Sequence, residues 1–375
     1  MDDTRMRGKF AETLLGRPYV EVHVAGRATG DGVDHQLLEA FPRICHHDIF
    51  WGSRLGFNRL RAQRRYWRLL QVLRPGVVIV HAPELLPLTL LWQWLGKGRK
   101  FIYDIQENYA LNVSTQGVYR GFVRRGLAAG LRWVESVAAG RAAAIILAEA
   151  SYAEELPFLR ALPPHRVLVL ENKYQPVPGQ VLPSCPVKIP PPGTPLRLLY
   201  SGTISELNGI DDAFALANKL QQAWPGGVHF TVIGFCQQPV LLRRLQQKVA
   251  AAAGWATLIG GENPVPHSRI VAEIENSHLG LLPYRPHTST ERCRPTKLFE
   301  YLAHGLPVIT SPNPRWQLVL QQHGAGLQLD FESSVDAPAL VAALQRTDFY
   351  PKGVANDVLW KEEGKKLWLL LDSLV

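Results

Sequence analysis

The chain has 375 residues, 46% of them apolar and 19% charged, which fits about two globular domains, each with its own core, and excludes a disordered chain. A formal net charge of +9 favours anionic partners such as phosphates, nucleotides, an anionic membrane surface or nucleic acid, without choosing among them. The four cysteines, Cys45, Cys185, Cys236 and Cys293, form no CxxC pair and have no histidine at metal-ligand spacing, so they read as free thiols of a reducing compartment, with no metal site expected.

The opening stretch MDDTRMRGKF has no apolar run and does not read as a signal peptide. The longest uncharged apolar stretch, 85–95, is too short to span a bilayer, and the run 126–148 is interrupted by Arg132, Glu135 and Arg141. The expectation is a cytoplasmic protein, free or peripheral to the inner face of the membrane. Short apolar, β-branched runs predict strands at 20–25, 77–81, 100–105, 144–148 and 167–170. Between the first two, Arg61, Arg64, Arg65 and Arg68 repeat at i, i+3, i+4, i+7, with Tyr66, Leu69, Leu70 and Leu73 on a parallel apolar stripe. Such a helix is either a core helix with a solvated arginine face or a contact with anionic headgroups, which Arg120, Arg124, Arg125 and Arg132 would extend. His46-His47 reads as a surface pair.

A stretch with eight prolines, 176–195, reads as a linker. Beyond it, strands are predicted at 196–200, 228–233, 256–259, 279–282, 307–310 and 326–329. Continuous apolar strands separated by helices imply parallel sheets covered on both faces. The organisation is therefore α/β: a Rossmann-like domain over 1–175, the linker, a second Rossmann-like domain over 196–350, and a C-terminal helix within 351–375 able to pack back on the first domain. Ligands of such sheets bind at the carboxyl ends of the strands.

Two segments carry the chemistry. In LGLLPYRPHTSTERCRPTKLFEYLAHGLPVI (279–309) a buried strand leads through a basic loop into a helix from about Thr296 to His304, with Pro295 at its start and Gly305 at its end. The tip of this helix, Thr296, Lys297 and Leu298, offers N–H groups and positive charge to a diphosphate, with Arg285, Arg292 and Arg294 upstream. Glu300, one turn in, suits a ribose diol; its alternative is a surface carboxylate paired with Lys297. In LRLLYSGTISELNG (196–209) a strand runs into a small-residue turn where Gly202 admits close approach of a ligand.

PTKLFEYLAHGLPVI resembles the nucleotide-sugar signature of family 4 glycosyltransferases, and YSGTISELNGI resembles the first loop of that family's C-terminal domain. DDTRMRGKFAETLL, HAPELLPL and FIYDIQENY are similar to its first helix, mid-domain strand and following loop, in family order from residue 2 to about 330. The resemblance implies the GT-B architecture, two Rossmann-like domains facing across a cleft. It also implies retaining sugar transfer from a UDP- or GDP-sugar to a glycan or lipid-linked acceptor, with no cofactor and no essential metal; nucleic acid is not expected as a partner, because no basic residues are interleaved with base-stacking aromatics. Carried over by residue, Glu300 holds the donor ribose, Gly202 is the loop glycine, and Asp104 and Glu107 are kept. With Lys297 and Arg292 read from the helix tip and its loop, the catalytic candidates are Lys297, Arg292, Asp104 and Glu107, with His81 and Glu84 on the acceptor side. Departures are specific: Arg292 stands where the family has a second glutamate, uncharged Thr203 and Asn208 where it has a basic pair, and Gln106 where it often has histidine. The family's opening strand and glycine-rich loop have no counterpart before the DDTR segment, so the central strand of the first sheet is expected to be missing. An active transferase and a degenerate, non-catalytic nucleotide-sugar-binding regulator both fit these residues.

Overall fold

The computed structural model describes residues 5–17, 20–27, 43–51, 58–115, 121–177, 179–288 and 290–374. Asp2, Asp3 and Thr4 of the opening segment, Arg120, Pro178 and Ser289 lie outside the described residues. The chain is α/β and divides by its internal contacts into two units: unit 1 is Met1–Pro178 with Trp360–Val375, and unit 2 is Gly179–Leu359.

Unit 1 holds two parallel sheets among the described residues. Strands β1 (Val22–Arg27) and β2 (Ile44–Phe50) pair with each other; β3 (Val77–Val80), β4 (Lys100–Ile105), β5 (Ala144–Leu147) and β6 (Val167–Val169) form a second sheet in that order. Alternation sorts the β4 side chains. Phe101, Tyr103 and Ile105 pack with Leu86, Ala138 and Ala139 of the helices Leu86–Trp94 and Gly121–Arg141. Ile102 points the other way, into a core with Phe10, Ala144, Ile146, Trp360 and Leu367. A helix over residues 6–14, wound as a π-helix at Met6–Ala11, serves both sheets: Phe10 joins this core, and Ala11 packs with Val22, Val24 and Ile44. Among the described residues no strand pairs with the edge of β1 away from β2, or with the edge of β3 away from β4.

The C-terminal helix, Lys361–Asp372, belongs to unit 1. Trp360 and Leu367 are fully buried there, the indole Nε1 donates to Thr13 Oγ1 at 2.8 Å, and Lys173 pairs with Glu363 at 2.8 Å.

Unit 2 is built on one parallel sheet, β12-β11-β10-β7-β8-β9. Its strands are β7 (Leu196–Thr203), β8 (Val228–Phe235), β9 (Ala256–Gly261), β10 (Leu279–Leu282), β11 (Val308–Thr310) and β12 (Gly326–Gln328). From β7 the chain lays strands outward on one side, then returns and lays β10 to β12 on the other. The order therefore reverses between β7 and β10, and the carboxyl ends of those two strands form the switch point at which open α/β sheets bind ligands.

Two features differ from the expectation. β2 was not predicted: Ile44–Phe50 reads ICHHDIF, and its two histidines and aspartate break the apolar run that marks a buried strand. The proline-rich stretch is not a free tether. Val187 N–H donates to Gly305 O at 2.9 Å, and a Cβ on Gly305 would lie 2.8 Å from Pro186 Cα. From Gly179 onward the stretch is part of unit 2.

Candidate functional site

In unit 2 Gly202, Lys297 and Glu300 lie together at the switch point. β10 runs on into Pro283 and Tyr284, and the loop beyond is held by side-chain bonds: Asn313 Nδ2 donates to Glu291 O at 2.8 Å and Trp316 Nε1 to Cys293 O at 2.7 Å. The loop delivers the helix Thr296–Ala303, entered from Pro295 in extended conformation, with no side chain capping its first N–H groups. Those groups keep the partial positive charge of a helix start.

Lys297 is buried, with its stem laid over Gly202: a Cβ on that glycine, at φ +89°, would sit 2.2 Å from Lys297 Cε. Only glycine tolerates both this backbone and this approach. The ammonium donates to Tyr284 Oη at 3.3 Å and lies 5.5 Å from the ring centres of Tyr200 and Tyr284. Burial pushes the Lys297 pKa down to about 8, against the smaller opposing pull of Glu300. An ammonium held among tyrosine rings lacks the solvation of water and gains most from a phosphate. One turn on, Glu300 Oε1 accepts from His267 Nε2 at 3.1 Å.

Gly202, Gly234 and Gly260 lie side by side at the ends of β7, β8 and β9. A Cβ on Gly234 would be 1.7 Å from Gly202 O, and one on Gly260 would be 2.5 Å from Gly234 O. Gly202 and Gly234 make a glycine ledge beside Lys297, while the space above Gly260 is filled by Val265, whose Cγ2 would lie 2.4 Å from a Cβ there. Sequence reasoning found the first glycine but not the other two, although each ends an apolar strand. His267 was also missed; a histidine opening a helix carries no local signal.

Other expected donor contacts are placed differently. Leu298 is fully buried and its N–H donates to Pro295 O, so its side chain packs the core and faces no ligand. Arg285 is taken by Asp212, with Nε to Oδ2 at 2.7 Å and a second bond at 3.0 Å. Asn208 closes its own loop, donating through Nδ2 to Thr203 O at 3.0 Å and through its backbone N–H to Ser205 Oγ. Thr203, Thr296 and Arg292 are exposed, Arg292 beside Glu291 at 3.8 Å, and Arg294 is half-buried.

In unit 1 Asp104 is fully buried and bound by Arg5 through contacts of 2.6–3.2 Å. Burial alone would raise its carboxyl, but the charge and hydrogen bonds of Arg5, with those of His81, outweigh it and hold the group well below the usual range. Arg5 also donates to Leu170 O and Asn172 Oδ1, at 2.9 and 2.7 Å. His81 Nδ1–H donates to Asp104 Oδ2 at 2.8 Å, Gln106 Nε2 lies 3.2 Å from the same ring nitrogen, and Tyr109 Oη donates to His81 O at 3.0 Å. Asp104, expected as a catalytic group, is thus a buried counter-ion that orients His81. Glu84 and Glu107 are exposed; Glu107 accepts from Asn112 Nδ2 at 2.8 Å.

Residues 11–173 match the family model described as a glycosyl transferase 4-like domain. No curated protein matches the sequence. Among solved structures the chain is similar to Anabaena HepE in complex with UDP-glucose, at 13% identity over 97% of this chain and 95% of that chain, with a TM-score of 0.61. It is also similar to sucrose-phosphate synthase from Thermosynechococcus elongatus (14% identity, 96% and 91% covered, TM-score 0.62). A third is WaaG, a glycosyltransferase involved in lipopolysaccharide biosynthesis (15% identity, 96% and 90% covered, TM-score 0.59). At such identities the likeness is one of fold, and it covers both units. The fold is the GT-B architecture, and within it residues 11–173 match a glycosyl transferase 4-like domain. Unit 2 lies beyond the matched stretch, and its likeness to the solved structures is one of fold.

Proposed function

We propose that the chain transfers a sugar, with retention of configuration, from a UDP- or GDP-sugar to a glycan or lipid-linked acceptor. The observation that carries the donor side is the desolvated ammonium of Lys297 laid over Gly202 at the uncapped start of a helix. Diphosphate sits at Thr296–Lys297 against the glycine ledge, and Glu300 exchanges its bond from His267 for the ribose hydroxyls. Charge develops on the leaving phosphate as the anomeric bond breaks, and a fixed cation at that point stabilises it. The same phosphate takes the proton of the acceptor hydroxyl as the new bond forms, so no protein base is required. Acceptor binding falls to unit 1, around His81 and the exposed Glu84 and Glu107. The UDP-glucose bound by HepE supports a uridine nucleotide as first candidate.

Calorimetry with UDP, GDP and ADP, followed by a donor-hydrolysis assay, tests this reading; no binding of any of the three ends it. Binding with no turnover points instead to a non-catalytic nucleotide-sugar-binding regulator, which the pairing of Arg285 with Asp212 favours by removing one cation from the site. Glu300→Gln is expected to weaken UDP binding roughly tenfold, by the scale of a charged hydrogen bond. The wild type should prefer UDP over its 2′-deoxy analogue and the variant should not; equal discrimination by both would remove Glu300 from the ribose.

A lipid-linked acceptor is supported by unit 1. Phe122, Gly126, Ala129, Trp133 and Val137 follow i, i+4, i+7, i+11, i+15 along the helix Gly121–Arg141, and all are exposed, Phe122 at 89% and Trp133 at 68%. Arg125 flanks the stripe, and Trp94, 78% exposed, ends the helix packed beside it. The exposed arginines 61, 64, 65 and 68 lie on the separate helix Asn58–Leu73. No helix among the described residues is long and apolar enough to cross a membrane, so contact would be peripheral. The protein should co-sediment with anionic vesicles at low salt. Phe122→Ser with Trp133→Ser should cut partitioning by about tenfold or more, from the burial worth of two aromatic side chains. Unchanged partitioning would place the contact elsewhere.

A further inference from the structure

The two-stranded sheet of unit 1 carries a group of side chains that sugar transfer does not use. Val22, Val24 and Ile44 point to one face, against the N-terminal helix. Glu21, just before β1, and His23 within it point to the other, as do Cys45 and His47 of β2. The parallel register sets His23 opposite Cys45 and Ala25 opposite His47. The ligand atoms of Glu21, His23 and Cys45 all lie within 4.8 Å of one another. His23 uses both ring nitrogens: Nε2 lies 3.0 Å from Glu21 Oε1, and Nδ1 lies 2.9 Å from His47 Nε2. The two imidazoles stack with centres 5.2 Å apart and planes inclined by 26°.

We propose that Glu21, His23 and Cys45 form a binding site for a divalent transition-metal ion of the zinc class, with His47 as its positioning residue. A carboxylate oxygen, an imidazole nitrogen and a thiolate sulfur are a borderline-soft set, suited to zinc or cobalt and unsuited to calcium or magnesium, which take oxygen ligands. His23 enters through Nε2, while Nδ1–H donates to His47 Nε2. A ligating histidine is regularly anchored in this way through its second nitrogen, which fixes tautomer and ring plane. Cys45 releases its thiol proton to solvent as the metal–sulfur bond forms. Three protein ligands leave the fourth position to water. Glu21 is exposed and His23 and Cys45 are half-buried, so an ion reaches them without opening the core.

The site has a physical use. A pair of strands is marginal by itself, and here a metal would tie β1 to β2 at the His23–Cys45 register pair. Binding confined to the folded state stabilises that state.

The test is a titration of the chelator-stripped full-length protein with Co²⁺. One equivalent should bind and produce a thiolate-to-cobalt charge-transfer band in the near ultraviolet, displaced by Zn²⁺. Cys45→Ser should abolish the band, and Cys185→Ser, at an exposed cysteine outside the cluster, should leave it intact. His47→Ala should retain the band and weaken Co²⁺ roughly 10- to 100-fold, the range found when an outer partner of a ligating histidine is removed. Because Glu21 is exposed, Glu21→Gln is expected to fold normally; it should weaken the metal about tenfold or more, with a folded circular-dichroism spectrum. Absence of a thiolate band in the wild type, its survival in Cys45→Ser, or unchanged affinity in Glu21→Gln would overturn the proposal.

Discussion

Lys297→Met is expected to abolish most donor chemistry while leaving the fold at least as stable. The ammonium is the buried cation at the start of the helix Thr296–Ala303, and its stem fills the space above Gly202. Removing one fixed donor to a developing negative charge typically costs roughly 10²–10³-fold in turnover, and a charged hydrogen bond contributes about 1.5–3 kcal/mol to binding. Donor hydrolysis should therefore fall by two to three orders of magnitude on the same scale, and UDP affinity by about tenfold or more. Stability should move the other way or not at all, because methionine removes a desolvated charge and keeps the stem's volume. Arginine should not rescue: its planar head does not fit a space bounded by Gly202, Tyr200 and Tyr284.

The pKa of about 8 adds a pH signature. In the proposed reading diphosphate binds the protonated amine, which predominates below that value. UDP affinity should thus be steady at lower pH and weaken as pH rises through about 8, by up to about tenfold per unit until the complex itself titrates. Calorimetry at several pH values measures it. An equally steep decline in Lys297→Met would assign the titration to another group.

Asp104→Ala should be the most destabilising single change in unit 1. It leaves the Arg5 guanidinium buried, with Leu170 O and Asn172 Oδ1 as remaining acceptors. Breaking a buried ion pair from one side costs about 3–5 kcal/mol, whereas replacing both members with apolar residues is often neutral or stabilising. Urea unfolding should show the full loss in Asp104→Ala and a substantial recovery in Arg5→Met with Asp104→Leu. Equal losses in both would mean that the pair is not what holds this region.

The pH course follows from the depressed carboxyl. The unfolded group titrates near about 4 and the folded one lower still. The unfolded chain therefore binds more protons in that interval. The contribution of Asp104 is complete above the unfolded value and declines as pH falls toward the folded one. His81 loses its Nδ1 acceptor in the same variant, so any acceptor role of the ring should fail with it.

Much of the architecture was legible because parallel strands covered on both faces must be apolar at successive positions. The runs 100–105, 144–148, 196–200 and 279–282 appear where β4, β5, β7 and β10 lie. Helix punctuation was equally local: Pro295 precedes the helix Thr296–Ala303, and Gly305, at φ +62°, follows it. β2 escaped because polar residues fall on both of its faces, with His46 and Asp48 on the side of Ile44 and His47 on the other, so neither face reads as an apolar run. Of the site residues, Gly202, Lys297 and Glu300 come together, while Leu298 faces the core and Arg285 is drawn to Asp212. A side chain's direction on a short helix, and its choice between a ligand and a neighbouring carboxylate, depend on packing that spacing does not encode.

By itself the sequence determined the α/β class, the strand positions other than β2 and the helix with its lysine and glutamate, since backbone propensity and hydrophobic period act over a few residues. Tertiary structure alone decided which distant groups meet. Arg5 reaches Asp104 across 99 positions, His267 reaches Glu300 across 33, Trp360 returns to Thr13 across 347, and His23 meets His47 across 24. Electrostatic and hydrogen-bond energies depend on separation in space, and the sheet order sets that separation.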